Sequence, residues 1–377
     1  MSRPADPPAP VPGGPLTGLR VVELAGIGPA PFCGMVLSDL GADVVQVERS
    51  ADSADRRASR PALWNRGRRS VALDLKSADG RAILLRMADR ADAIIEGFRP
   101  GVAERLGIGP AVCLARNPRL VYGRVTGWGQ DGPLAHRAGH DLNFLAVSGV
   151  LAAIGRADEL PVPPLNLVGD FGGGGMLLAL GMCAALLHAS RSGQGQVVDA
   201  AMVDGAAQLM TSIFGLREQG HWRAERGTNL IDGGAPFYDV YRTSDDQLVS
   251  VAALERRFFD ELVRVLGLAE DPSVADRMDQ STWPAMRARF TQVFRSRTRA
   301  QWCEVFDDAD CCFAPVPTID EALTHRHLVE RGTFLRHGDV VQPAPAPRFS
   351  ATASAARRPA PRPGEHTAEV LAEWGVA

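Results

Sequence analysis

Leu19-Arg20-Val21-Val22-Glu23-Leu24, followed by Gly26-Ile27-Gly28-Pro29-Ala30-Pro31, decides the fold. The first run is short and rich in β-branched residues, the pattern of a buried strand. The second is a turn, with Pro31 where the first turn of a helix tolerates a missing N–H. The spacing predicts a helix over 32–40, closed by Gly41, and a second strand over 43–48. Strand, turn, helix and strand make a βαβ unit, which requires a parallel sheet. Gly26 and Gly28 also match two glycines of a dinucleotide fingerprint, and Glu48 stands about where a ribose-binding acid would. Pro31 occupies the third glycine position, so that fingerprint is incomplete.

The pattern repeats outward from this unit. Further strands are predicted over 70–74, 93–96, 120–125 and 196–200, with helices over 80–88, 176–188 and 203–216. The first 200 residues therefore read as one α/β domain. Residues 219–234 are polar and punctuated by glycine, as a linker is. Beyond them, 238–242 and 248–253 flank Ser244-Asp245-Asp246 and predict a hairpin. Amphipathic helices over 257–266 and 283–294 complete a smaller α+β domain.

With 377 residues the chain can build two sizeable cores. Hydrophobic residues make up 45% and charged residues 23%, an ordinary globular mix. A formal net charge of −3 gives no global field for nucleic acid or anionic membrane. Lys76 is the only lysine, so every other basic residue of this kind is arginine. That bias, with abundant Ala, Gly and Pro, suggests a GC-rich bacterial source and makes arginine a poor marker of function. The six cysteines form no CxxC, and Cys33, Cys113 and Cys183 lie in apolar runs as buried thiols do. A reducing cytoplasm fits. The Pro-rich residues 1–14 read as a disordered tail without a signal-peptide pattern, and no run of about 18 apolar residues predicts a membrane span.

Polar residues concentrate in two loops. One is Gly127-Trp128-Gly129-Gln130-Asp131-Gly132-Pro133 with Ala138-Gly139-His140-Asp141; the other is Asn166-Leu167-Val168-Gly169-Asp170-Phe171 and four glycines. Asp170 reads equally as the N-cap of a helix and as an acid beside free N–H groups that could stabilise developing negative charge. His140 suits proton transfer near neutral pH, although a lone histidine is more often structural. Glu255 reads as a solvated acid at a helix N-terminus. Arg49, Arg68, Arg69, Arg99 and Arg105 offer guanidinium forks for phosphates, as any surface arginine would.

Taken together, long ordered segments resemble the family III CoA-transferase (CaiB/BaiF) superfamily, and within it the α-methylacyl-CoA racemases. They include Leu-Thr-Gly-Leu-Arg-Val-Val-Glu-Leu-Ala-Gly at 16–26, Glu-Gly-Phe-Arg-Pro-Gly-Val at 96–102 and Ala-Gly-His-Asp at 138–141. Pro-Pro-Leu-Asn-Leu-Val-Gly-Asp-Phe-Gly-Gly-Gly at 163–174 and Gly-Gly-Ala-Pro-Phe-Tyr-Asp at 233–239 continue the match. The resemblance implies a Rossmann-like large domain over 15–201 and 344–377, linkers over 202–231 and 324–343, and a small α+β domain over 232–323. It also implies an interlocked homodimer and a CoA thioester substrate, with no cofactor and no metal.

Residue by residue, the resemblance implies His140, Asp170 and Glu255 as acid–base residues, with Glu255 supplied across the dimer. It implies a CoA site on Arg49, on Leu73, Asp74, Leu75 and Lys76, on Gly97, Phe98, Arg99, Pro100 and Gly101, and on Arg105. Gly139, Asp141, Leu142, Asn143 and Phe144 would line the way to the reacting carbon. Asn166, four residues before Asp170, is a candidate to orient it. Superfamily transferases use the aspartate matching Asp170 as a nucleophile and generally lack the histidine. His140 therefore favours an isomerase that interconverts R and S 2-methylacyl-CoA thioesters through an enolate. N–H groups at 172–175 are the expected enolate donors, and Leu230, Ile231, Phe237, Tyr238 and Met210 are candidates for an apolar acyl pocket or plain core.

Overall fold

A computed structural model describes residues 11–49 and 62–377. Residues 1–10 of the expected tail lie outside the described residues. The chain divides into two compact units. The larger takes the residues up to Ser148, Leu165–Leu209 and Gly332–Ala377; the smaller takes Gly149–Pro164 and Met210–Arg331.

The larger unit is built on six parallel strands: β1 (Arg20–Leu24), β2 (Asp43–Glu48), β3 (Arg69–Ala72), β4 (Ala93–Glu96), β5 (Val121–Thr126) and β6 (Val197–Ala201). Their spatial order is β3-β2-β1-β4-β5-β6, the doubly wound arrangement in which strand order reverses between β1 and β4. Val21, Val22, Val44, Val45, Ile94 and Ile95 are all buried, as expected of strands covered on both faces. Leu24 pairs with Val47, Glu48 with Ala72 and Glu23 with Ile95, so the strands' carboxyl ends emerge along one edge.

Helix α1 (Pro29–Asp39) starts earlier than predicted, with prolines in its first turn, and α2 (Ala78–Ala88) follows β3. Helix α3 (Asp141–Val147) comes after β5. The principal helix, α4, runs without a break over Leu167–Ser192. Its 26 residues reach a mean hydropathy of 1.6 in the best window, enough by length and composition to cross a membrane. The sequence pattern hid this because Asp170, several glycines and His188 interrupt the apolar run. Leu178, Ala179, Met182, Ala185 and Leu186 are nevertheless buried, and the helix packs on β5 and β6.

The expected linkers carry secondary structure, and so do residues 11–12 of the expected tail. Residues 203–216 form two helices, α5 (Met202–Leu209) and α6 (Thr211–Glu218), which belong to different units. Residues 334–343 form a hairpin, Phe334–His337 with Val340–Pro343, within the larger unit. Val11–Pro12 pairs with Thr352–Ala353 rather than trailing free. The C-terminal helix (Thr367–Glu373) packs on β3, and Val370, Trp374 and Val376 join the core.

The smaller unit has a three-stranded antiparallel sheet, β7 (Tyr238–Arg242), β8 (Leu248–Ala252) and β9 (Phe313–Pro315), in the order β9-β8-β7. Helices α7 (Arg256–Val265) and α8 (Trp283–Phe294) flank it. Phe237, Phe259, Trp283, Phe290 and Phe294 form an aromatic core, so Phe237 is not pocket lining.

One polar pair sits at the heart of the larger unit. Arg68 Nε donates to Glu23 Oε2 at 2.6 Å with both side chains fully buried, and Gln46 donates to Glu23 Oε1 at 2.9 Å. The Arg68 guanidinium also donates to the Pro31 and Trp64 carbonyls. Gly34 is needed beside it: an added Cβ would stand 1.9 Å from Glu23 Oε2. Arg68 is thus lost as a phosphate ligand. Arg69 is too, being buried and bridged to Asp43, Glu369 and Glu373. Removing one partner leaves a buried charge uncompensated, so Arg68→Ala should cost about 3–5 kcal/mol in urea unfolding. A loss below about 1 kcal/mol would show that the pair does not brace this layer.

Candidate active site

The carboxyl edge of the parallel sheet gathers the loops that follow its strands. Where strand order reverses, Gly26-Ile27-Gly28 after β1 faces the loop 97–101 after β4. Open parallel sheets bind ligands in this crevice. Glu48 is buried and accepts from Ser70 Oγ at 2.6 Å, so it is not poised as a ribose ligand.

Asp170 is not a helix cap. It lies in the first part of α4, Leu167–Met176, which is π-helical; the Phe171 N–H reaches Asn166 O, five residues back, at 3.2 Å. Such segments are frequent at functional sites. Gly172, Gly173, Gly174 and Gly175 therefore lie inside a helix, where their N–H groups serve the helical ladder rather than an enolate. The glycines serve packing. A Cβ on Gly173 would stand 2.7 Å from Ala206 N, and one on Gly205 would stand 1.9 Å from Gly173 O. Helix α1 approaches the same run, with Pro29 Cβ 3.0 Å from a Cβ built on Gly174.

This packing turns half-buried Asp170 toward the β1 loop: a Cβ built on Gly28 would stand 3.4 Å from Asp170 Oδ2. Asn166 Nδ2 donates to Asp170 Oδ2 at 3.3 Å. His140 is exposed at the N-cap of α3, and its backbone N–H donates to Asn143 Oδ1 at 3.0 Å. The next residue, Asp141, is buried, and its Oδ1 accepts the Asp170 backbone N–H at 2.7 Å. Burial pushes the Asp170 carboxyl above the usual range; the Asn166 hydrogen bond opposes this, the Asp141 charge adds to it and His140 opposes it. His140, Asp141, Asn166 and Asp170 thus form one electrostatic group. Glu255 belongs to the smaller unit, exposed at the N-cap of α7.

The expected CoA residues follow strand ends. Arg49 follows β2, Leu73, Asp74, Leu75 and Lys76 follow β3, and Gly97, Phe98, Arg99, Pro100, Gly101 and Arg105 follow β4. Arg49, Lys76, Arg99 and Arg105 are exposed cations along that edge. Leu73 and Pro100 are buried, while exposed Asp74 accepts the Lys76 N–H on its Oδ1 at 2.9 Å. Gly139 is tightly flanked by Phe144 and Trp128, and Phe144 is buried edge-on against Trp128 at 4.8 Å. Leu142 is exposed.

Sequence reasoning missed Glu96. Its buried carboxylate accepts the Phe98 N–H at 2.6 Å and Arg124 Nε at 2.7 Å, while Arg124 also bridges to Glu104 at 2.8 Å. One acid thereby holds the 97–101 loop. Its signal was a lone acid ending an otherwise apolar strand, Ala93-Ile94-Ile95-Glu96. Among the described residues no group of three His, Cys, Asp or Glu is placed to hold a metal.

Residues 16–367 match CoA-transferase family III. The chain belongs to that family. It is 47% identical to mouse α-methylacyl-CoA racemase over 365 residues, covering 96% of this chain and 94% of that protein. The human α-methylacyl-CoA racemase is 46% identical over 364 residues, with the same coverage. Both relatives are mammalian and lend no support to a bacterial source. A CaiB/BaiF family protein from Brucella suis superposes with a TM-score of 0.83 at 26% identity, covering 96% of this chain and all of that one.

Asp170 carries a measurable cost. Because folding raises its affinity for a proton, its ionised form destabilises the fold at neutral pH, and the cost vanishes as pH falls below the carboxylate range. Asp170→Asn should melt higher than the parent at pH 7, the difference closing toward about pH 4. Equal melting at pH 7 would contradict the raised proton affinity.

Proposed function

We propose that this protein is a racemase that interconverts R and S 2-methylacyl-CoA thioesters by 1,1-proton transfer. The observation that carries the reading is the pairing of His140 and Asp170. Asp141, next to His140 in the chain, accepts the Asp170 N–H at 2.7 Å, and Asp170 Oδ2 faces Gly28 at the crevice of the parallel sheet. The racemase relatives, aligned over nearly the whole chain, support the same reaction.

A proton on the carbon next to a thioester needs a base on each face if its configuration is to be lost. In this reading Asp170 serves one face and His140 the other, each acting as base in one direction and acid in the other. The raised proton affinity of Asp170 makes it a stronger base than an ordinary carboxylate. Glu255, contributed by the partner in an interlocked dimer, would hold the His140 ring in its working orientation. The CoA moiety would lie along the strand ends, its phosphates met by Arg49, Lys76, Arg99 and Arg105. Gly172 to Gly175 are engaged in the helix, and the Asn143 and Phe144 N–H groups of α3 donate to His140 O at 2.8 and 3.3 Å, so in this reading none of these serves the enolate oxygen.

Of the candidate acyl-pocket residues, Met210, Ile231 and Tyr238 line a cavity of about 720 Å³ within the smaller unit. Leu230 packs against the aromatic core, as Tyr238 also does. The homodimer is supported by Met176, Leu180 and Leu187, which leave an apolar stripe of α4 exposed. The reaction in this reading uses no cofactor or metal, and the enzyme works in the cytoplasm.

Incubation with a single epimer of a 2-methylacyl-CoA in D₂O should give both epimers with deuterium at the α-carbon. CoA exchange into an added acid without α-deuteration would instead identify a transferase with Asp170 as nucleophile. His140→Ala should slow epimerisation on the order of 10²–10⁴-fold, and normal turnover by that variant would remove His140 from the mechanism.

A further inference from the structure

We propose that Asp141 is a positioning residue that locks the two proton-transfer groups together, its buried carboxylate holding the Asp170 peptide in place beneath His140. The inference rests on the racemase reading and deepens it. Asp141 is adjacent to His140 in the chain and opens α3, while its Oδ1 accepts the Asp170 N–H at 2.7 Å. One charge-assisted hydrogen bond therefore joins segments 29 residues apart. The space for it is built in. A Cβ on Gly169 would stand 2.4 Å from Asp141 Oδ1, so only glycine lets the carboxylate sit there. Asp141 is buried and faces inward to Asp170.

The same carboxylate places a fixed negative charge beside Asp170, which strengthens the base. The other charged or titratable groups on the packed elements are not among those that act on Asp170. On α1, Cys33 is buried and Asp39 is bound to Arg66. On β5, Arg124 is bound to Glu96 and Glu104, and on β6 Asp199 accepts the Gln130 N–H. Asp204 on α5 is exposed. Asp141 and His140 are the charged groups that perturb Asp170.

Three variants separate geometry from charge. Asp141→Asn keeps an acceptor and removes the charge. Asp170 should then titrate at lower pH, read from the ¹³C carboxyl resonance assigned by comparison with Asp170→Asn, and the acid limb of the kcat profile should move the same way. Asp141→Ala removes both functions and should lower kcat roughly 10- to 100-fold with KM within about twofold, as expected for loss of a hydrogen bond to a charged group. Gly169→Ala, which displaces the carboxylate from the opposite side, should reproduce that kcat loss. An unshifted Asp170 titration in Asp141→Asn, or parental kcat in Asp141→Ala and Gly169→Ala, would overturn the proposal. If the parent protein exchanges no α-proton, the racemase reading falls, and the Asp170 titration still decides the role of Asp141 without substrate.

Discussion

Backbone-to-backbone packing of the glycine run in α4 is the constraint on which the site depends. Gly173 meets Gly205 and Ala206 of α5 at distances no side chain would allow, and Gly174 meets Pro29 at the start of α1. Three helices can converge there only because the first turns of α4 carry no Cβ atoms on that face. The same stretch is π-helical, so each turn is wider and Asp170 is carried round toward the β1 loop. Asp170 is thus delivered to the crevice at the strand-order reversal by helix packing, not by a flexible loop.

Once there, its chemistry is set by neighbours rather than by its own position in the chain. Burial and the Asp141 charge raise its proton affinity, while Asn166 and His140 restrain the increase. A base that is too weak could not take an α-proton, and one that is too strong could not release it. Opposed contributions suit the proposed role, in which Asp170 does both in alternate directions. Glu96 plays a parallel role a strand away, where one buried carboxylate sets the shape of the 97–101 loop.

Much of this was legible along the chain. The β-branched runs at 19–24, 43–48 and 93–96 became strands of the parallel sheet within a residue of their predicted bounds. The hairpin 238–242 with 248–253 formed as predicted. Periodicity failed where one element crosses a boundary or changes its winding. The run 203–216 became two helices in different units, and the glycine-rich 172–175 lay inside a helix instead of opening one. Arg68 and Arg69 were also unreadable, since nothing local distinguishes a surface arginine from one buried against an acid 45 residues away.

The sequence by itself determined the parallel α/β architecture, because strand patterning is a local property. Its resemblance to the family offered His140, Asp170 and Glu255 as candidate acid–base residues. Only the tertiary structure decided what surrounds them. That Asp141 turns inward to Asp170, that the glycines serve packing and not an anion, and that Glu96 governs a loop are matters of burial and through-space distance. Those depend on residues far apart in the chain, and no local pattern records them.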